Sequence, residues 1–91
     1  MADIRGKSVK AITYDVADGY ATINPIFLKS FPSALLKDFY KEILKVQQEI
    51  RTSRFPTGDI DAIRRRNLRL QRLNTSVIII RNFARERRIQ L

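Results

Sequence analysis

The chain of 91 residues contains no cysteine and no histidine. The first absence excludes disulfides, thiolate metal sites and cysteine nucleophiles together. The second removes the commonest metal ligand and the commonest general base near neutral pH. Glycine is scarce as well: Gly6, Gly19 and Gly58 are the only three, and their spacing builds no phosphate-cradling loop. Long apolar runs are missing. The longest is Val77 to Ile80, far short of the roughly 20 residues of a membrane-spanning helix. Met1 to Val9 carries Asp3, Arg5 and Lys7 without an apolar core, so no secretory signal is expected and the chain reads as soluble, cytoplasmic or otherwise intracellular.

These absences weigh against catalysis. An enzyme needs positioned acid–base groups, a nucleophile or a metal. Asp59 and Asp61 are accounted for as favourable negative charge at a helix start. Asp38 and Glu42 form an i,i+4 pair interleaved with Lys37, Lys41 and Lys45, which is ordinary surface pairing. The expectation is a non-enzyme without cofactor, metal or small-molecule substrate. A domain this short buries only roughly 60–65% of the surface its unfolded chain exposes. Such domains often lean on a disulfide, a metal or another subunit, and composition leaves only the subunit open.

What the chain has in excess is positive charge: 18 Lys+Arg against 9 Asp+Glu, a net of +9. Twelve of the basic residues are arginine, and nine of those fall in the last 28 positions. Arginine suits bidentate contact with phosphate or carboxylate. A field of this sign favours nucleic acid, an anionic membrane surface or an acidic protein as partner.

Along the chain, residues 1–9 are polar and read as a flexible arm. Ile12, Tyr14 and Val16 alternate, Asp18-Gly19 is a turn signal, and Tyr20 to Ile23 resumes β-favouring chemistry, so 10–24 reads as a β-hairpin. The run Tyr14 to Ile23 resembles the opening strands of the enoyl-CoA hydratase (crotonase) family. The resemblance spans ten residues, implies two paired strands there, and brings none of that family's catalytic segments. Asn24 and Pro25 then suit the cap and first position of a short helical turn over 26–29.

The clearest element is a helix over 33–52. Leu36, Phe39, Ile43, Val46 and Ile50 recur at spacings of 3, 4, 3 and 4, and Leu35, Tyr40 and Leu44 widen the stripe. Ser30 or Ser33 suits its cap, with Pro32 in the first turn. Residues 53–58 form a linker, and Thr57 or Asp59 caps a second helix over 59–89. Its seam runs through Ile63, Arg66, Leu70, Leu73, Val77, Ile80, Ala84, Arg87 and Leu91. Asn74-Thr75-Ser76 allows a kink or break near 74–76, and the β-favouring Val77 to Ile80 leaves a strand over 77–83 as the competing reading. The fold class that follows is mainly α with a small β-hairpin (α+β): an N-terminal β-hairpin, then an antiparallel helical hairpin of two amphipathic helices in one domain.

Two functional readings result. In the first, the chain is a basic module associated with nucleic acid, holding phosphate backbone without base readout. Arg65, Arg69 and Arg72 share one helix face beside Arg64, and Arg81, Arg85 and Arg88 form a second stripe on a different face. Stripes on two faces do not describe one recognition helix in one groove. In the second, the chain is an assembly subunit, a homo-oligomer or a component of a larger complex such as a virion or multisubunit machine. Its docking residues are Val77, Ile78, Ile79 and Phe83, because the second helix is apolar on more than one side there. Charge alone favours the first reading.

Overall fold

The computed structural model describes residues 3–4 and 7–91. Of the arm expected over 1–9, residues 1, 2, 5 and 6 lie outside the described residues. Val9 begins the next element, and the rest pair as a two-residue antiparallel ladder, β1 (Asp3–Ile4) with β2 (Lys7–Ser8). Lys7 Nζ lies 2.6 Å from Asp15 Oδ2 and ties this ladder to the following element.

That element is a helix, α1 (Val9–Ala17), and the β-hairpin expected over 10–24 is not formed. Ile12 and Val16 fit a strand of period 2, but with Thr13 and Ala17 they also fit one face of a helix, and all four are buried. The ends decide between the two. Ser8 Oγ accepts from Ala11 N at 3.2 Å, an N-cap. At the other end Tyr20 N donates to Asp15 O and Gly19 N to Val16 O, the paired bonds of a Schellman stop. Gly19 occupies the left-handed position at φ 85°, so Asp18-Gly19 ends a helix where a hairpin turn was expected. The segment that resembles crotonase strands is therefore the end of a helix followed by a loop. Thr13 is buried without cost to its hydroxyl, which donates to Val9 O at 2.7 Å.

Asn24 and Pro25 behave as their chemistry suggests. Asn24 Oδ1 accepts from Phe27 N at 2.8 Å and Pro25 opens α2 (Pro25–Leu28). This turn delivers Leu28 and Phe31 to the core, where Phe31 stacks on Phe39 with ring centroids 5.2 Å apart.

Helix α3 (Ser33–Thr52) buries Leu35, Leu36, Phe39, Ile43, Val46 and Ile50. Neither serine caps it. Pro32 holds the N-cap position with no side-chain bond, and Ser30 Oγ instead donates to Phe27 O. The connection to the next helix turns at Gly58 (φ 84°), and Asp59 Oδ1 caps α4 (Ile60–Glu86) by accepting from Ala62 N at 3.0 Å.

Helix α4 is continuous through Asn74-Thr75-Ser76. Thr75 and Ser76 hydroxyls donate back to the carbonyls of Gln71 and Arg72, so neither competes for a cap. Val77 to Ile80 is helical as well. Tertiary burial of Val77 and Ile80 outweighs their β preference.

Three directions of contact define the packing. Tyr14 of α1 reaches Glu49 near the end of α3. Tyr40, early in α3, meets Arg81, late in α4. Phe55, just beyond α3, meets Arg66, early in α4. Helix α4 thus returns along α3, and α1 lies against both. The longest dimension, 44 Å, is little more than the roughly 40 Å expected of a 27-residue helix.

Candidate anion-binding surface

The face that α4 turns inward explains where its arginines go. At 3.6 residues per turn, Ala62, Arg66, Arg69, Leu73, Val77, Ile80 and Ala84 fall on one side. From Leu73 onward these positions are buried and apolar. Toward the N-terminus the same face carries Arg66 and Arg69, both half-buried. A strict seven-residue repeat drifts by about 20° per heptad on a straight helix, so Ile63 and Leu70 leave the centre of the seam and the arginines enter it.

At this end of the bundle the end of α1, the end of α3 and the start of α4 surround an open recess of about 450 Å³. Ser53, Arg54 and Pro56 line it from the connection, Ala62, Arg65, Arg66 and Arg69 from α4, and Asp18 from just beyond α1. Four arginines and one aspartate thus share this lining. Arg69 Nε is 3.2 Å from Asp18 Oδ1. That approach is close enough for an ion pair but too poorly aligned for a hydrogen bond, and the buried Nε of Arg69 has no hydrogen-bond partner. The Nε of Arg66 is likewise buried and unpartnered, while its guanidinium lies 5.2 Å from the centroid of the Phe55 ring.

The expected site residues separate into three groups. Arg65 and Arg69 line the recess, with the exposed Arg64 one position away. Arg72 has a different partner: Nη1 donates to Ala17 O at 3.1 Å, satisfying a free carbonyl at the end of α1. Its guanidinium covers Gly19 so closely that a Cβ there would sit 3.1 Å from Cζ. Arg81, Arg85 and Arg88 belong to the far end of α4, roughly 30 Å from Arg65 along the helix. Arg81 Nε donates to Tyr40 Oη at 2.8 Å and Arg85 Nη2 to Asn82 Oδ1 at 2.7 Å. Arg88 takes the left-handed position (φ 57°) of a second Schellman stop, in which Ile89 N donates to Ala84 O.

Arg54 and Arg66 are the members of the recess that the pattern of stripes does not reveal. Arg54 lies outside any helical period, and Arg66 counts as a seam position in the heptad. The signal available for both was a basic residue at an inward or linker position with no acidic residue at helical spacing.

Of the four residues expected at an assembly surface, Val77 and Phe83 are in the core and Ile79 packs against it. Ile78 is exposed at 52%. A second recess, about 370 Å³, runs beside Gly19 between Ile23, Leu68, Arg72 and Ile79.

Among the described residues no helix is long and apolar enough to cross a membrane, and no three His, Cys, Asp or Glu side chains gather as metal ligands. The chain matches no protein-family model, no curated protein and no solved structure.

Proposed function

We propose that this chain is a non-catalytic basic interaction module that holds the phosphate backbone of nucleic acid without reading its bases. The observation that carries the reading is the convergence of Arg54, Arg65, Arg66 and Arg69 on one recess whose only acidic lining residue, among the described residues, is Asp18. Backbone contact of this kind releases condensed counterions and is sequence-independent. Among the described residues no aromatic side chain lines the recess, so stacking on a base is not part of the reading. Arg64 lies close by on α4, and Arg81, Arg85 and Arg88 form a separate basic group at the other end of the helix.

Binding of random-sequence duplexes across a range of salt concentrations tests this. Affinity should fall steeply with salt and be the same for unrelated sequences. Changing Arg54 and Arg65 together to Gln should flatten the slope of log affinity against log salt by about 2, since each phosphate contact contributes about 0.9. Both side chains are exposed, so the fold should be unaffected. An unchanged slope would remove the recess from the binding surface. The other reading, an assembly subunit docking through 77–83, keeps Ile78 as its exposed residue and has less to rest on.

A further inference from the structure

We infer that the nucleic acid this chain prefers is an unpaired strand, whose bases stack on Tyr20 and Phe55 beside the arginine recess. This goes one step beyond the phosphate-backbone reading and rests on it.

The chain has five Phe and three Tyr. Phe31, Phe39 and Phe83 are in the core, and Phe27, Tyr14 and Tyr40 pack against it. Tyr20 and Phe55 alone are exposed, at 83% and 50%. Both belong to the end of the bundle that holds the recess. Phe55 falls between the lining residues Arg54 and Pro56, and the guanidinium of a third, Arg66, lies over its ring at 5.2 Å from the centroid. Tyr20 is two residues beyond Asp18, which is also on the lining, so their Cα atoms are no more than about 7 Å apart. The hydroxyls of Tyr14 and Tyr40 are bonded to Glu49 and Arg81, whereas that of Tyr20 has no partner among the described residues.

The backbone beneath each ring is fixed. Tyr20 N donates to Asp15 O at 2.8 Å within the stop that closes α1. Thr57 N donates to Phe55 O at 2.8 Å, and Pro56 restricts residue 55 toward extended backbone. Rings held in this way lose little freedom when a ligand covers them.

Exposed rings beside arginines supply the two components of sequence-tolerant single-strand binding: charge that follows the phosphates, and π-faces on which bases lie. A duplex cannot use the second, because its bases are paired and already stacked on one another. It meets the arginines alone. On charge alone the duplex should bind more tightly, since each of its phosphate contacts contributes about 0.9 to the salt slope against about 0.7 on a single strand. Preference for the unpaired strand is therefore an outcome that charge does not produce. It also requires bases, and a flexible polyanion without them gains nothing from Tyr20 or Phe55.

The test measures fluorescence anisotropy of three end-labelled ligands of equal length at one salt concentration: oligothymidine, an abasic strand with the same phosphates and no bases, and a mixed-sequence duplex. Wild type should bind oligothymidine at least about tenfold more tightly than either of the others, one stacked base being equivalent to roughly five- to 150-fold. Tyr20→Leu and Phe55→Leu should each weaken oligothymidine binding by about fivefold or more and leave duplex and abasic binding within about twofold. Circular dichroism checks helix content, and Tyr20→Leu keeps the comparison meaningful if Phe55→Leu disturbs Arg66. Oligothymidine bound no more tightly than the duplex or the abasic strand, or bound equally by wild type and both variants, overturns the stacking role while leaving duplex binding in place. Wild type that binds none of the three overturns the phosphate reading itself.

Discussion

Arg66 is the residue where stability and binding should part company. Its Nε is buried without an acceptor, an omission that costs about 1–3 kcal/mol. Against this stands the guanidinium over Phe55 at 5.2 Å, a ring 50% exposed, where such contacts contribute about 0.5–1 kcal/mol. Methionine keeps an unbranched side chain, offers a sulfur to the ring in place of the guanidinium, has similar helix propensity, and removes the unpaired donor. Arg66→Met should therefore stabilise the domain by about 0.5–2 kcal/mol. At about 4–8 °C per kcal/mol for a domain of this size, the melting temperature rises by several degrees. Relief of self-repulsion in a chain of net charge +9 acts in the same direction. Thermal unfolding followed by circular dichroism at moderate salt measures the first effect, and duplex affinity measures the second, which should fall. A variant that melts below wild type by 1 kcal/mol or more would refute the reasoning, since it would mean that Arg66 is held by contacts that stabilise the fold. A variant that melts higher and binds as well as wild type would leave the unpaired donor without a purpose in the recess.

Ile43 is fully buried in the centre of α3, so Ile43→Ala should cost about 2–4 kcal/mol, read as a shift in urea midpoint at constant slope. Arg88 holds a left-handed conformation (φ 57°) that glycine adopts freely; Arg88→Gly should stabilise by about 0.5–1 kcal/mol, and a loss of stability would show that its side chain matters to the end of α4. The hydroxyl of Tyr14 donates to Glu49 Oε2 at 3.1 Å; that bond, with desolvation and the carboxylate charges of Glu49 and Glu42 beside it, raises the phenol above its ordinary range. A raised folded value means the contribution is full below about pH 10 and is lost as pH climbs through the folded value. The stability difference between wild type and Tyr14→Phe, measured by urea unfolding, should thus be present at about pH 8 and shrink at higher pH; a difference that does not change with pH would contradict it.

Much of the helical framework was legible from local chemistry. The stripe Leu36, Phe39, Ile43, Val46 and Ile50 identifies α3 because every member is apolar and every gap matches a helix, and all five are buried. Asn24 with Pro25 marks α2, and Thr57 or Asp59 marks the start of α4, where the structure selects Asp59, because capping depends on the cap residue and the amides just beyond it. The first 24 residues were not legible in this way. Ile12, Tyr14 and Val16 satisfy period 2 as well as a helix, and glycine after Asp18 serves a hairpin or a helix stop equally. The Ser8 cap, the Gly19 stop and packing choose together: as a helix, the segment buries Ile12, Thr13, Val16 and Ala17 against α3 and α4.

The charged surface divides along the same line. Sequence alone determined that α4 would be rich in arginine and strongly basic, because that is composition and periodicity. It could not determine which guanidinium groups are free, because a donor's partner is set by distance in space. Arg72 and Arg81 find theirs in Ala17 O and Tyr40 Oη, 55 and 41 residues away. Only the tertiary structure decided that Arg54 of the linker joins Arg65, Arg66 and Arg69 of the helix around one recess. The α3–α4 connection brings those residues together, and α1 sets Asp18 among them.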